Sequence, residues 1–397
     1  MAATLCDMQW IRDGLRRVLV PVLALITAFI LGAIAIVLTD VDHLQHIGTD
    51  PVGAIGGALG VVVNGYGAML SGAIGDPGRI VAAIQTGSPD DIETAIRPIS
   101  EALVSATPFI FVCLGLAVSF RAGLINLGAD GQFLIGGVGA GITAALVAGL
   151  LPPALALVVA VLGGIVAGGA YGFIAGVLKA RTGAHEVITT LMLNGIAPGL
   201  AFLIVQSIDL SFLGPPTAIP VVPRLIDLPT IRVDYGFVIG LVTAALVSLF
   251  LFRSTRGFEL RATGFSPTAA RGAGMRPGRA TMLAMALSGG LVGMGSALFG
   301  LGPAGGFGTP PTNDLGFVAL ALALVAGSRP AGVVAVALFY GALTNGAKNM
   351  VIATRIPLAL LLVIVVFAML FVAAPGLIRS IWRLKPPKPV ETTASRG

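Results

Sequence analysis

The chain has 397 residues, of which 56% are hydrophobic and only 11% charged, with a mean hydropathy of +0.97. Soluble domains carry about 25% charged residues, so this composition excludes a soluble globular protein and predicts an integral membrane protein. The net charge of +6 does not indicate a nucleic-acid partner. The basic residues stand in short clusters at the ends of apolar runs, where positive charge orients membrane helices.

The first long apolar run, Val18 to Leu38, follows three arginines. A signal peptide is one interpretation, with Ala33-Ile34-Ala35 as its cleavage site. The run is longer than the roughly 7 to 15 apolar residues of a signal peptide, so we favour a retained anchor helix. Two cysteines, Cys6 and Cys113, are too few for a disulfide framework.

Windows of about 20 apolar residues predict an all-α polytopic membrane protein with about ten transmembrane helices and no β-barrel alternation. The predicted spans are Val18 to Leu38, Ala102 to Ser119, Gln132 to Leu150, Ala154 to Leu178, Val187 to Val205, Tyr235 to Phe252, Thr281 to Leu301, Leu315 to Gly327, Ala331 to Asn349 and Leu358 to Ala374. We predict three regions. Residues 1–100 hold the anchor helix and an external or interfacial segment, residues 101–375 a transmembrane core with a cytoplasmic loop at 253–280, and residues 376–397 a cytoplasmic tail.

The positions of the arginines predict the orientation. With the N-terminus in the cytoplasm, most basic clusters fall inside and an even number of spans returns the C-terminus there too. Lys348 and Arg355 are exceptions, because this topology puts them on the outer side. Between the first two spans, the Gly-rich piece from Val52 to Ile74 is predicted to be a short interfacial helix or a re-entrant element.

The spans divide into two groups of four, Ala102 to Val205 and Thr281 to Ala374, which begin from opposite faces. This layout is typical of an inverted repeat, in which binding sites lie near the midplane at broken helices. Each group has one interruption rich in glycine or proline and in polar residues, at Gly123 to Gln132 and at Gly302 to Asp314. Polar groups inside a membrane are costly and mainly face cavities, partners or water, so they indicate function.

We therefore predict a solute pathway lined by polar residues of these segments and of the neighbouring spans: Asn126, Asp130, Gln132, Glu186, Asn194 and Asn313. Other interpretations stay open. Asp130, Asn313 and Asp314 could cap the helices that follow surface turns, Glu186 could be a solvated helix start, and Asn194 could hold helices together. His185 and Glu186 do not form a metal site, since no second ligand stands at helical spacing.

The cytoplasmic stretch from Arg253 to Arg279 has more organisation than a simple basic loop requires. It predicts two short helices, Phe258 to Thr263 and Pro267 to Gly274, with Ser266 as the cap of the second. We interpret it as a docking surface. No GxxxxGK[ST] phosphate loop occurs in the chain, so ATP, if it drives the process, is bound by another polypeptide. The scattered histidines and cysteines predict no catalytic site.

Four motifs in order resemble the permease subunits of ABC importers of the branched-chain amino acid and simple-sugar class, most closely the nucleoside and simple-sugar branch. They are RAGLINLGADGQ at 121–132, HEVITTLMLN at 185–194, LRATGFSPTAARGAGM at 260–275 and GFVALALALVAGSRP at 316–330. The N-terminal NGYGAMLSGAIG at 64–75 resembles the longer of two permeases that such systems pair as a heterodimer. Asp130 replaces the usual glutamate, and His185 replaces asparagine.

The resemblance implies a ten-span permease in the bacterial cytoplasmic membrane that transports nucleosides or simple sugars by alternating access. Its implied partners are a second permease, an ABC ATPase that binds the ATP, and an extracytoplasmic substrate-binding lipoprotein. The loop that engages the ATPase is expected to act through Glu259, Arg261, Ala262, Gly264, Pro267, Ala269, Ala270 and Gly274. The alternatives are an ion-coupled secondary transporter of a small polar solute, with Asp130 or Glu186 carrying the ion, and a passive channel.

Overall fold

A computed structural model describes residues 2–40, 44–46, 48–207, 221–225, 230–302, 314–354 and 358–383. Within these residues the fold is helical apart from an isolated antiparallel bridge between Arg224 and Asp234, so the predicted all-α class is confirmed. The helices are α1 (Ala2–Thr39), α2 (Pro51–Ile74), α3 (Pro77–Thr86), α4 (Pro89–Arg121), α5 (Ala129–Val147), α6 (Pro153–Thr182), α7 (Glu186–Ser207), α8 (Tyr235–Arg253), α9 (Thr255–Phe265), α10 (Pro267–Gly272), α11 (Pro277–Gly300), α12 (Leu315–Val325), α13 (Pro330–Thr354), α14 (Leu358–Ala373) and α15 (Pro375–Ile381).

Nine helices of the described ranges are long and apolar enough to cross a membrane, namely α1, α2, α4, α5, α6, α7, α8, α11 and α13. Eight of them correspond to spans that the sequence predicts, with ends that differ by a few residues. The ninth, α2, has 24 residues where a short interfacial or re-entrant element was expected. At 1.5 Å per residue it is about 36 Å long, and this length corrects the expectation of a short element.

The predicted spans Leu315 to Gly327 and Leu358 to Ala374 are found as the short helices α12 and α14. Helix α12 has 11 residues and α14 has 16 described residues, against the roughly 20 that a spanning helix needs. Helix α12 is followed at once by Gly327 and Ser328 in the left-handed conformation, with φ of 60° and 51°, and Pro330 then opens α13. This backbone cannot continue a helix, so α12 is a half-length segment.

The chain folds as two compact units, residues 1–64 with 356–397, and residues 65–355. In the first unit, α1 packs against α14 and α15, and the indole N–H of Trp382 donates a hydrogen bond of 2.9 Å to the Thr27 hydroxyl. The second unit holds most of the helices. The division that we predict at residues 100 and 375, and the inverted repeat, stay predictions.

Helix α4 is the central element of the second unit. It has 33 residues, whereas the predicted span Ala102 to Ser119 covers only its middle. Residues 106–119 are all buried, and α8, α11, α12 and α13 pack around the helix. Because an α-helix rises 1.5 Å per residue, α4 is about 50 Å long and connects opposite ends of the unit.

Glycines bring α6 and α11 into close contact. A Cβ atom on Gly168 would lie 2.5 Å from the carbonyl oxygen of Gly289, and one on Gly172 would lie 2.5 Å from that of Met285. Gly164 approaches Gly293 in the same way, with a Cβ position 2.9 Å from its carbonyl oxygen. Small residues allow the backbones of membrane helices to touch along their length, so α6 and α11 form one tightly packed block.

Candidate functional site

The first polar interruption is a loop, residues 122–128, between α4 and α5. Arg121, the last residue of α4, ties this loop to the end of α12. Its Nε donates to the carbonyl oxygen of Ser328 and its Nη2 to that of Gly327, each at 3.0 Å. Carbonyl groups at a helix end lack partners within the helix, and Arg121 supplies charged donors for them. The sequence did not single out this arginine as a site residue.

Asn126 of this loop forms a buried polar network with Gln132 of α5 and Ser288 of α11. The Asn126 Nδ2 donates to Gln132 Oε1 and to Ser288 Oγ, both at 2.9 Å, and Gln132 Nε2 donates back to Asn126 Oδ1 at 3.2 Å. The same Oδ1 accepts the backbone N–H of Gly128 at 2.9 Å. At most 1% of each of the three residues is exposed. Satisfied polar networks in a low-dielectric interior fix one arrangement, so this one holds the loop in place.

Helix α7 holds the loop from the other side. Asn194 Oδ1 accepts the N–H of Gly131 at 2.9 Å, and its Nδ2 donates to the carbonyl oxygen of Leu127 at 2.6 Å. The Thr190 hydroxyl accepts the N–H of Leu127 at 3.2 Å. The first N–H groups of α5 have no partner within that helix, and Asn194 satisfies one of them. The predicted polar residues Asn126, Gln132 and Asn194 therefore do come together around one loop.

Asp130 joins this loop to the start of α12. Its Oδ1 accepts the backbone N–H of Gly316, in the first turn of α12, at 2.9 Å. Capping of the next helix was the alternative for both Asp130 and Asp314. Asp314 takes the N-cap position of α12 with φ of 57°, but its side chain makes no capping bond. A carboxylate 186 residues away in sequence therefore caps this helix, a favourable place for negative charge.

The remaining predicted pathway residues lie apart from this network. Glu186, at the start of α7, pairs with Lys179 at the end of α6, with 2.8 Å between the carboxylate and the ammonium group. Asn313 lies outside the described residues. Asn126 and Gln132 contact protein rather than solvent, so a role for all six residues in a solute pathway stays a prediction. Ser288, Thr190 and Tyr171, which donates to the Leu193 carbonyl at 2.7 Å, were missed; single hydroxyls inside apolar spans were the only signal.

The two short helices predicted between residues 253 and 279 are confirmed as α9 and α10. Ser254 Oγ accepts the N–H of Gly257 at 2.9 Å and caps α9, while Ser266 Oγ accepts the N–H of Ala269 at 3.3 Å and caps α10, as expected. Pro267 occupies the first position of α10, and Gly274, with φ of 79°, follows its end. Local sequence signals of this kind are independent of the tertiary fold.

Helix α9 touches the loop that carries the polar network. A Cβ atom on Gly264 would lie 2.6 Å from the carbonyl carbon of Ala122 and 2.6 Å from the nitrogen of Gly123. Conversely, a Cβ on Gly123 would lie 2.9 Å from the Cα of Gly264. The buried Leu260 of α9 packs in the same core cluster as Ala122. Helix α9 is thus in direct backbone contact with the loop.

The outer face of α9 and α10 forms a groove of about 670 Å³, which we name the α9–α10 groove. Three phenylalanines line it, Phe120, Phe258 and Phe265, and Phe265 is 95% exposed. The predicted docking residues Arg261, Ala262, Gly264, Ala269 and Ala270 line the groove. Glu259 instead pairs with Arg256 at 3.5 Å, and it accepts the N–H of Arg276 at 3.4 Å. An exposed aromatic residue beside a concave surface is typical of a contact site for another protein.

Residues 99–374 match the family described as the branched-chain amino acid transport system permease component. The chain belongs to this family. The permease is also similar over nearly its whole length to the guanosine ABC transporter permease protein NupP of Bacillus subtilis. The two are 30% identical over 382 residues, which cover 92% of this chain and 95% of the relative.

Two further relatives come from Lactococcus lactis. The nucleoside ABC transporter permease protein NupB is 28% identical over 398 residues, covering 96% of this chain and 98% of NupB. The nucleoside ABC transporter permease protein NupC is 26% identical over 262 residues, covering 62% of this chain and 80% of NupC. With its apolar helices, the chain is a multi-pass membrane protein that serves as a permease subunit of an ABC importer.

Proposed function

We propose that this permease imports nucleosides across the bacterial cytoplasmic membrane. The substrate class is supported by the printed functions of the relatives that cover at least nine tenths of this chain, which are guanosine and nucleoside permeases. A simple sugar is the other substrate that the sequence motifs allow. The chain itself catalyses no covalent reaction and binds no cofactor. ATP is bound and hydrolysed by a separate ATPase subunit.

The working assembly is a heterodimer of this chain and a second, shorter permease. Lactococcus lactis contains a long relative, NupB, and one that matches less of this chain, NupC, which supports such a pair. An extracytoplasmic binding lipoprotein delivers the substrate. Both termini and the α9–α10 groove face the cytoplasm, in agreement with the arginines of residues 253–279 under the positive-inside rule.

One observation carries the mechanism: Gly264 of α9 lies directly against the loop that holds Asn126. The ATPase contacts the α9–α10 groove differently in its ATP-bound and ATP-free states. Only such a difference in contact free energy can shift an equilibrium between outward-open and inward-open forms. The shift reaches residues 122–128 by backbone contact, and from there the start of α5 and, through Asp130 and Arg121, both ends of α12. These elements border the pathway in the proposed cycle.

The deciding test is uptake of labelled nucleosides and sugars into proteoliposomes that hold the complete importer. Its control is the same importer with an ATPase subunit that binds but does not hydrolyse ATP. We expect nucleoside uptake that stops in the control. Uptake that persists in the control and follows an ion gradient would refute the ATP-driven function and indicate a secondary transporter. Uptake of sugars alone would correct the substrate class.

A further inference from the structure

A second concave site lies at the other end of α4, and we name it the α4 pocket. It has a volume of about 630 Å³ and is bordered by the end of α2, the start of α4, the segment before α8 and the end of α13. Glu101 lines this pocket, whereas Arg121 lines the α9–α10 groove. Twenty residues of one continuous helix separate them, or about 30 Å, the thickness of the hydrocarbon core. The pocket therefore opens on the membrane face opposite the groove.

The lining of the α4 pocket is polar and carries charges of both signs. Four cationic side chains and two carboxylates surround it: Arg79, Arg97, Arg232, Lys348, Asp76 and Glu101. Among the described residues, Arg97 and Lys348 have no carboxylate within ion-pair distance, while Arg232 lies 3.6 Å from Glu101. The orientation rule placed Lys348 on the outer side as an exception. In the structure Lys348 lines this pocket, where its charge faces the other polar groups.

The wall that carries Arg232 is held in place by α4. The Ser100 hydroxyl accepts the backbone N–H groups of Arg232 and Val233 at 3.1 and 3.3 Å. About two turns earlier in α4 the Glu93 carboxylate accepts the N–H of Thr230. On the opposite wall, Asn345 of α13 donates to the carbonyl oxygens of Gly72 and Pro98 at 2.8 and 3.1 Å. The pocket is thus built by hydrogen bonds from several elements, as preformed ligand sites are.

The environment of one atom in the pocket indicates the chemistry of its ligand. The Glu101 Oε1 is buried and has no hydrogen-bond partner among the described residues, while Oε2 faces Arg232. A buried carboxylate oxygen without a donor is costly, and such atoms require an unseen partner. The partner must carry a hydrogen-bond donor and fit beside cations that need acceptors. A compound with neighbouring hydroxyl groups, such as the ribose of a nucleoside or a free sugar, offers both.

We propose that the α4 pocket binds the sugar moiety of the solute on the outer side of the membrane before translocation, with Glu101 accepting from its vicinal hydroxyl groups. Arg97 and Lys348 donate to acceptor atoms of the same solute. This inference rests on the proposed import function and adds a site and a recognised chemical group to it. An acidic protein surface is a poorer occupant, because its carboxylates only accept hydrogen bonds and would leave Glu101 Oε1 without a donor.

The test compares guanosine with 2′,3′-dideoxyguanosine, which lacks both hydroxyl groups. Initial uptake rates are measured in proteoliposomes with the complete importer, carrying either the natural chain or Glu101→Gln. The binding protein is the same in both, so its own preference cancels. We expect Glu101→Gln to raise KM for guanosine about tenfold, the size of one charge-assisted hydrogen bond, and to leave KM for the dideoxy compound unchanged. Labelled ribose in a third arm distinguishes a free sugar from a nucleoside.

Asp90→Asn is the matched control, since it makes the same carboxylate-to-amide change on an exposed residue of α4 that does not line the pocket. We expect it to leave both KM values unchanged. If Glu101→Gln prevents assembly, Lys348→Gln replaces it. That variant is expected to raise KM for both compounds a few-fold at constant kcat.

An unchanged guanosine preference in a folded Glu101→Gln importer would overturn the pocket assignment while ATP-driven uptake still stood. An equal loss for both compounds, together with weaker capture of the binding protein, would instead make the pocket a protein-docking surface and overturn it too. Absence of all ATP-dependent uptake by the natural chain would refute the proposed function. The pocket assignment would then be tested by direct binding of labelled guanosine and 2′,3′-dideoxyguanosine to the purified assembly, without the binding protein. The assignment requires that Glu101→Gln weakens binding of guanosine but not of the dideoxy compound.

Discussion

Among the regions of this permease where glycine makes close backbone contacts, two differ in their consequences. Between α6 and α11 the contacts repeat along the helices, at Gly164, Gly168 and Gly172. Between α9 and the loop after α4, one contact joins Gly264 to Gly123. Repeated contacts lock two helices into a block, whereas in the proposed cycle the single contact between a short surface helix and a loop passes on movement. The same residue type would then support rigidity in one place and coupling in the other.

The largest effect is expected in the block. Replacement Gly168→Val would force side-chain atoms into the backbone of Gly289, which has no room to move within two packed helices. Overpacking costs about 1–3 kcal/mol even where side chains can adjust, and backbone clashes cost more. We expect loss of folded protein in detergent extracts analysed by size exclusion. Gly195→Val, which has open space around its Cβ position, should fold normally. Normal folding of both variants would contradict the rigid block.

The next largest effect is expected at the contact between Gly264 and Gly123. Gly264→Val should leave the importer assembled and its ATPase active, but reduce ATP-driven uptake about 5- to 150-fold, the range of coupling free energies of 1–3 kcal/mol. Uptake and ATP hydrolysis are measured on the same proteoliposomes. Gly272→Val, in α10 with open space at its Cβ position, is the control and should transport normally. Equal uptake by both variants would show that the contact does not carry the movement.

A smaller effect is expected for the buried polar network of Asn126, Gln132 and Ser288. Asn126→Ala removes the partner of Gln132, Ser288 and the N–H of Gly128. Each polar group left buried without a partner costs about 1–3 kcal/mol, so the thermal unfolding temperature should fall by several degrees. Asn64→Ala, at an exposed helical position, should leave it unchanged. An unfolding temperature unaffected by Asn126→Ala would mean that the network does not fix the loop.

The smallest effect is expected at Asp234, where a substitution should change the pH dependence of stability but not the coupling of uptake to ATP hydrolysis. Asp234 caps α8, whose other end leads into α9, and burial raises the pKa of its carboxyl group to about 6. Between pH 4 and 6 the folded state holds this proton more tightly than the unfolded state, so this group's contribution to stability falls as pH rises through 6. Asp234→Asn keeps a capping oxygen and should flatten the fall in unfolding temperature between pH 4 and 6, without changing uptake per ATP. A fall as steep as that of the natural chain, or steeper, would contradict this assignment.

Some of the site was predictable because it depends on neighbours in sequence. Ser266 caps the helix that begins at Pro267, and two short helices follow from local signals alone. The polar interruption after α4 was recognisable because Asn126 and Gln132 stand in an apolar stretch. Its partners were not, since Ser288 lies 162 residues from Asn126 and Gly316 lies 186 residues from Asp130. The sequence alone does not show which distant N–H and hydroxyl groups become the hydrogen-bond partners of these side chains.

By itself, the sequence determined that this protein is a helical membrane protein with a polar loop in its core and an organised basic loop between two spans. Those properties depend on composition, on the period and length of apolar runs, and on local capping. Only the tertiary structure decided that α2 is a single helix of 24 residues, that Asp130 caps α12, that Gly264 touches Gly123, and that Glu101 faces a pocket. These depend on which surfaces meet, and therefore on packing and hydrogen bonding between residues far apart in the chain.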